Sequence, residues 1–465
     1  MFTDKNLRMF DYSVTDIDES SALPSQVADR RLKAIFHTDS TFIMPDFSSL
    51  GDWEKRQAKI KMQILTAAGL IPMPDKCPLN ARIFGKVEYD GFTVEKVVFE
   101  SYKGFFVTGN LYRPINIKNP CPAVLNAHGH WDGGRFERSE FSDIPGRCAN
   151  MAKLGFIAFS YDMIGYNDCM QIPHTFGGAS NELWGMGGLA VQLWNSMRCI
   201  DFLESLEDVD ASKISCTGAS GGATQSFLLA AVDSRIKAVA AVNMVSANYQ
   251  GGCCCENAAL LRIGINNVEI AASIAPRPLF IAASDGDWTV NTPFVEYPAI
   301  HSIYSLYGKE NNVEYFYQKA LHNYNRKTRE YVYRWLTRLF YNNDAPVAEQ
   351  IVDLKQEDLR IFSRCGDAPL VSAAPDTDAP PASAASPSGI PLATPAPLDL
   401  FAQIKEARRN QFADLWSDKS NTRITANMLE APMAVIFGRT DNGRLSWVTK
   451  ESRQSYADWQ TSLID

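Results

Sequence analysis

The chain has 465 residues, yet no apolar run in it is long enough to cross a bilayer, which excludes an integral helical membrane protein. A basic surplus is also missing: Lys plus Arg number 45 against 53 for Asp plus Glu, a net charge of −8. Nucleic-acid binding rests on neutralising phosphates, so an acidic chain with no Lys/Arg cluster is a poor partner for it. Histidine is scarce, at six residues, so an imidazole-based metal site has a thin cast. There is no Cys-x2-Cys pair and no internal repeat. The ten cysteines are mostly scattered; Cys253-Cys254-Cys255 is the exception. Three consecutive side chains cannot all face one ion, so these read as small buried or half-buried thiols. Unpaired thiols suit a reducing compartment. The opening MFTDKNLRMFDYSVTDIDESS has no apolar stretch and is acidic where a secretory leader is basic, so the expected location is cytoplasmic.

At 46% hydrophobic and 21% charged, the composition is globular. Residues 366–397 are rich in Pro, Ala and Ser and nearly free of large apolar side chains, so they cannot repay their ordering entropy and read as a linker. The expected organisation is a helical extension over 1–85, a main body over 86–345, a connecting segment over 346–365, the linker, and a small α+β tail over 398–465. In the extension, residues 53–70 form a helix with Ile60, Ile64 and Leu65 on one face. In the tail, Leu400, Phe401, Ile404, Ala407, Leu415 and Trp416 share a helical face, and Asp441-Asn442-Gly443 predicts a hairpin. So small a piece holds little core, and it is expected to dock on the body or on a second copy, making a homo-oligomer.

The body begins with two antiparallel strands, 94–100 and 105–112, about a turn at Tyr102-Lys103-Gly104. Short apolar runs then follow at 123–127, 156–161, 214–217, 239–242, 279–283 and 313–317, with helix-period segments between most of them. The clearest segment is Leu189, Leu193, Met197, Ile200, Leu203. Apolar strands alternating with helices predict an α/β fold, a mostly parallel central sheet with helices on both faces.

Ligands of such a sheet bind beyond the carboxyl ends of its strands. There the run 214–217 meets Gly218-Ala219-Ser220-Gly221-Gly222, followed by a helical segment over 223–232. Strand, Gly-x-Ser-x-Gly and helix are the context of a nucleophile elbow, with Ser220 on a sharp turn and its Oγ above the sheet. A serine hydroxyl needs a base to take its proton, and after such an elbow the chain supplies first an acid and then a histidine. Only His301 and His322 follow Ser220; His301 falls in a helical segment, whereas His322 lies in a loop after the last strand. After the run 279–283, Asp285 and Asp287 compete for the acid. Asp285-Gly286 is a turn dipeptide, which favours Asp287.

An oxyanion hole needs two backbone donors. Gly221 N–H is one; the loop His128-Gly129-His130-Trp131-Asp132 after the run 123–127 offers His130 N–H as the other. Trp131 is a candidate wall of the acyl pocket. In the loop Gly251-Gly252-Cys253-Cys254-Cys255-Glu256-Asn257, Glu256 is a candidate substrate contact, set against a purely structural role in which it pairs with Arg262. The same His-x-His-x-Asp run offers a rival: a metallo-hydrolase using His128, His130 and Asp132.

Together these motifs resemble the α/β-hydrolase superfamily, in the branch of acetyl xylan esterases, cephalosporin deacetylases and prolyl-oligopeptidase-like hydrolases. Tyr161-Asp162-Met163-Ile164-Gly165-Tyr166, the elbow, the 251–257 loop and Asp287-Trp288-Thr289 carry that likeness. Acetyl xylan esterases usually have Gln after the serine and an aromatic after the His-Gly pair; here Gly221 and His130 stand there. The resemblance implies a serine carboxylic-ester hydrolase with a Ser220–His322–Asp287 triad, no cofactor and no metal, acting on a small ester such as an acetylated carbohydrate. The alternatives are a prolyl-oligopeptidase-like serine peptidase and, in another class, a non-catalytic binding protein that keeps the fold.

Overall fold

The computed structural model describes residues 41–115, 117–177, 181, 185–362 and 399–417, with side chains as far as Arg408 in the last stretch. In chain order the elements are α1 (Leu50–Ala67), β1 (Arg82–Tyr89), β2 (Phe92–Tyr102), β3 (Phe105–Pro114), β4 (Cys121–Ala127), α2 (Ile144–Lys153) and β5 (Ile157–Tyr161). They continue as α3 (Gly188–Glu204), β6 (Val209–Ala219), α4 (Gly221–Val232), β7 (Ile236–Val242), α5 (Asn267–Ala272) and β8 (Leu279–Gly286). The last are α6 (Glu296–Leu306), β9 (Val313–Leu321), α7 (Arg326–Tyr341) and α8 (Leu400–Ser417). No helix among them is long and apolar enough to cross a membrane.

All nine strands form one sheet in the order β1-β2-β3-β5-β4-β6-β7-β8-β9. The first three run antiparallel to their neighbours; from β5 across to β9 every pairing is parallel. Side chains alternate between two buried faces, which is why these strands read as unbroken apolar runs. On β4, Ala123, Leu125 and Ala127 enter one core with residues of α1, α3 and α4, while Val124 enters a second core with residues of α2 and α7. Side-chain caps start α1 and α2. Ser49 accepts from Asp52 N–H at 3.1 Å to start α1, and Asp143 accepts from Gly146 N–H at 2.9 Å to start α2.

Two expectations are corrected at the edges of the body. The 1–85 extension is not wholly helical, because β1 begins at Arg82 and pairs with β2. Its pattern is hard to read because it is an edge strand whose register shifts between Phe84 and Val87, around a left-handed Gly85. Residues 346–362 are more than a connection: Val352, Leu354, Leu359, Ile361 and Phe362 are all buried in the body's cores. The 366–397 linker and the hairpin around Asn442 lie outside the described residues. Of the tail, α8 docks on the body of its own chain, with Leu400 and Ile404 buried against Phe105, Ile164, Ile172 and Val191.

Candidate active site

Ser220 joins β6 to α4 with φ +58° and ψ −129°, a backbone conformation that L residues rarely adopt. The strain is held by close packing. A side chain at Gly222 would lie 2.5 Å from the Ala127 carbonyl oxygen, so only glycine lets α4 approach β4 this closely. Ser220 N–H donates to the Val242 carbonyl at 3.1 Å, which fixes the turn against β7. A Cβ built on Gly221 would stand 2.5 Å from the His130 ring, so the loop after β4 lies directly on the elbow.

Asp287 and His322 emerge from the adjacent ends of β8 and β9. His322 Nδ1 lies 2.8 Å from Asp287 Oδ2, and the Asp287 side chain is only 2% exposed. Asp287 also accepts from Asn243 Nδ2 at 2.6 Å, from Thr289 N–H at 2.7 Å and from the Thr289 hydroxyl at 2.5 Å. Burial pushes the Asp287 carboxyl up, but the hydrogen bonds from His322 and Thr289 outweigh it and hold the group below the ordinary carboxylate value. A carboxylate acceptor at Nδ1 favours the tautomer that carries its proton there and leaves Nε2 bare. Nε2 is buried and has no hydrogen-bond partner in the structure. The ring is held between Trp131, stacked with centroids 5.9 Å apart, and Trp288 at 4.4 Å.

The competing residues are placed elsewhere. Asp285 is exposed and accepts from Ala320 N–H at 3.0 Å, the turn role its Gly neighbour suggests. His301 lies within α6 with its ring 5.5 Å from that of Tyr297. The metal reading of His128, His130 and Asp132 is corrected. His128 is buried with both ring nitrogens engaged, Nδ1 donating to Gly129 O at 2.8 Å and Nε2 accepting from Met163 N–H at 2.9 Å. Burial lowers its pKa to about 3, so it is a neutral structural residue. Asp132 is exposed. Among the described residues the group able to hold a metal is a different one, His130, His174, Cys253 and Cys255.

Glu256 lies inside its loop, 4% exposed. One oxygen accepts from the Thr224 hydroxyl at 2.9 Å and the other from Cys253 N–H at 3.2 Å. Arg262 hydrogen-bonds the backbone carbonyls of Gln250 and Glu256 at 3.0 and 3.3 Å. That placement favours the loop-fixing role over a substrate contact.

Sequence reasoning missed several residues of the site. Asn243 hydrogen-bonds Asp287, but a lone Asn at a strand end carries no spacing signal, and Trp288, quoted only for the family likeness, packs on the His322 ring. Arg135, fully buried, donates to Asp162 at 2.9 Å and to Asp168 at 2.6 Å and ties the β4 loop to the loop after β5. A buried ion pair of that kind is costly to break, because either partner alone would be left uncompensated.

Residues 80–257 match the family model described as acetyl xylan esterase (AXE1), a stretch that includes Ser220 and His130 but ends before Asp287 and His322. YtaP of Bacillus subtilis (strain 168), a protein named as a hydrolase, is 26% identical over 176 residues, 36% of this chain and 57% of YtaP. The solved structure of methylesterase BT1017 superposes with a TM-score of 0.57 at 25% identity, covering 64% of this chain and 66% of that one. This chain thus spans less than two thirds of either relative. The sheet order, the strained serine between β6 and α4, and these likenesses place the chain in the α/β-hydrolase superfamily.

Proposed function

We propose that the protein is a serine carboxylic-ester hydrolase that works through a covalent acyl-enzyme. The observation that carries this reading is the strained Ser220 elbow on the same sheet edge as a part-buried Asp287–His322 pair in which His322 Nε2 has no partner. His322 Nε2 takes the Ser220 proton as Oγ attacks the ester carbonyl, and Asp287 stabilises the imidazolium that forms. Gly221 N–H and His130 N–H face the developing oxyanion. Collapse of the intermediate expels the alcohol with the proton from His322, and water then repeats the sequence to release the acid.

The match to the acetyl xylan esterase model supports an ester of a carbohydrate, with an acetyl group as the first candidate. The likeness to a methylesterase favours a second reading, in which the substrate is a methyl ester. A peptidase of the prolyl-oligopeptidase type is less favoured, because the described residues contain one sheet and no propeller to restrict access.

A panel of p-nitrophenyl esters from acetate to octanoate, then acetylated sugars and methyl esters, tests this. The expected result is turnover falling with acyl length and abolished in Ser220→Ala. Turnover equal in wild type and Ser220→Ala would end the reading.

A further inference from the structure

Four side chains beside the elbow have no role in that chemistry. His130 comes from the loop after β4, His174 from the segment after β5, and Cys253 and Cys255 from the loop after β7. Their ligand atoms all lie within 4.8 Å of one another. His130 Nε2 is 3.2 Å from Cys255 Sγ, and His174 Nε2 is 3.1 Å from Cys253 Sγ. His174, Cys253 and Cys255 are buried and His130 is half-buried.

We propose that His130, His174, Cys253 and Cys255 bind one zinc ion in a closed tetrahedral site that fastens the His130 loop to the loop after β7. The donor set is two thiolates and two imidazoles, a combination suited to zinc. Around a tetrahedral zinc with Zn–S about 2.3 Å and Zn–N about 2.0–2.1 Å, neighbouring donors stand roughly 3.4–3.8 Å apart. The two close His–Cys pairs, at 3.2 and 3.1 Å, therefore have to open by a few tenths of an ångström, and the widest separation, within 4.8 Å, has to close by about 1 Å. Binding replaces two thiol protons with the ion and releases them to solvent, leaving two thiolates and two neutral imidazoles. Four protein donors leave no open position, so this ion is structural and activates no water.

The surroundings are those of a ligand set. His174 Nδ1 donates to the Ile164 carbonyl at 2.8 Å, which fixes the tautomer and turns a bare Nε2 toward the thiols. Glu256 holds Cys253 through its N–H at 3.2 Å, and Gln225 Nε2 donates to the Cys255 carbonyl at 2.7 Å. Three consecutive cysteines cannot all face one ion, and here they do not. Cys254 Sγ donates instead to the His174 carbonyl oxygen at 3.2 Å and lies 4.0 Å from Cys253 Sγ, outside the group of four, while its two neighbours converge. That the ion also steadies the oxyanion donor at His130 rests on the esterase reading; the binding of the ion does not.

The test measures metal as well as turnover. The full chain, purified under reducing conditions with zinc present and then freed of loose metal, is expected to hold about one zinc per chain by mass spectrometry. The Cys253→Ser/Cys255→Ser and His174→Ala variants are expected to hold almost none. If those variants do not fold, cobalt(II) loaded into the stripped unaltered chain decides: thiolate-to-cobalt charge transfer with intense tetrahedral visible bands supports the site. A chain that takes up neither metal, a weak octahedral cobalt spectrum, or a folded variant that keeps its full zinc would overturn it. Metal without turnover would instead fault the esterase reading, and turnover without metal would fault only the zinc site.

Discussion

On one side of Ser220, Asp287 and His322 sit at the ends of neighbouring strands β8 and β9, about 35 residues apart in the chain, and meet in a single 2.8 Å contact. On the other side, His130, His174, Cys253 and Cys255 come from three loops separated by up to 125 residues and meet as a cluster. The first arrangement follows from the sheet itself, since parallel neighbours bring their loops to one edge. The second depends on how irregular loops fold over that edge, held by buried contacts such as Arg135–Asp162 and Glu256–Thr224. On the proposed reading, one side moves a proton and the other fixes a backbone. Substitutions on the two sides should therefore fail in different ways.

The largest effects belong to the proton side. Ser220→Ala and His322→Ala should each lower kcat about 10^4-fold or more, and the double variant should be little worse, because the members act as a unit. Multiplying losses in the double variant would break the comparison. Asp287→Asn should cost about 10^2–10^4-fold, since the imidazole loses its orienting acceptor, while Asp285→Asn changes turnover by less than about threefold. The reverse order would move the acid to Asp285. Because Asp287 is held below the ordinary carboxylate value, the stability it contributes is fully present above that value and is lost as pH falls through its lowered one. Thermal melts of wild type and Asp287→Asn at successive pH values should therefore converge only in strong acid.

Effects on the fixed side should be smaller in turnover and larger in stability. Cys253→Ser is expected to lower kcat about tenfold or less, and to lower the melting temperature by about 4 °C or more. A loss matching that of Ser220→Ala would assign the cluster to the chemistry and erase the distinction. Glu256→Gln should have the least effect: a stability loss of about 1 kcal/mol and equal small losses on p-nitrophenyl acetate and on a sugar ester. A rise in KM for the sugar ester alone would return Glu256 to the pocket wall.

The same contrast explains what could be read from the sequence. The middle of the sheet was legible because both of its faces are buried there, so β4 through β8 appear as apolar runs between helical periods. Ser220 was legible because the elbow is local, with strand, glycines and helix all within about 20 residues. His322 and Asp287 followed from chain order once the strands were placed. Edge strand β1 was missed because its alternation is broken at Gly85. The Cys/His cluster was missed because its spacing is Cys-x-Cys with two remote histidines, and only the folded loops bring the parts together. His128 and His130 show the limit most plainly: two residues apart on one loop, one spends both nitrogens on backbone and the other meets a thiol.

The central claim is that Ser220 forms the covalent bond, and peptide mapping after treatment with a fluorophosphonate tests it most directly. The account predicts one adduct per chain, on Ser220, formed far more slowly in His322→Ala and still formed when a chelator is present throughout. A folded, ester-hydrolysing chain that carries no adduct on Ser220, and whose turnover stops with chelator and returns with added zinc, would contradict it.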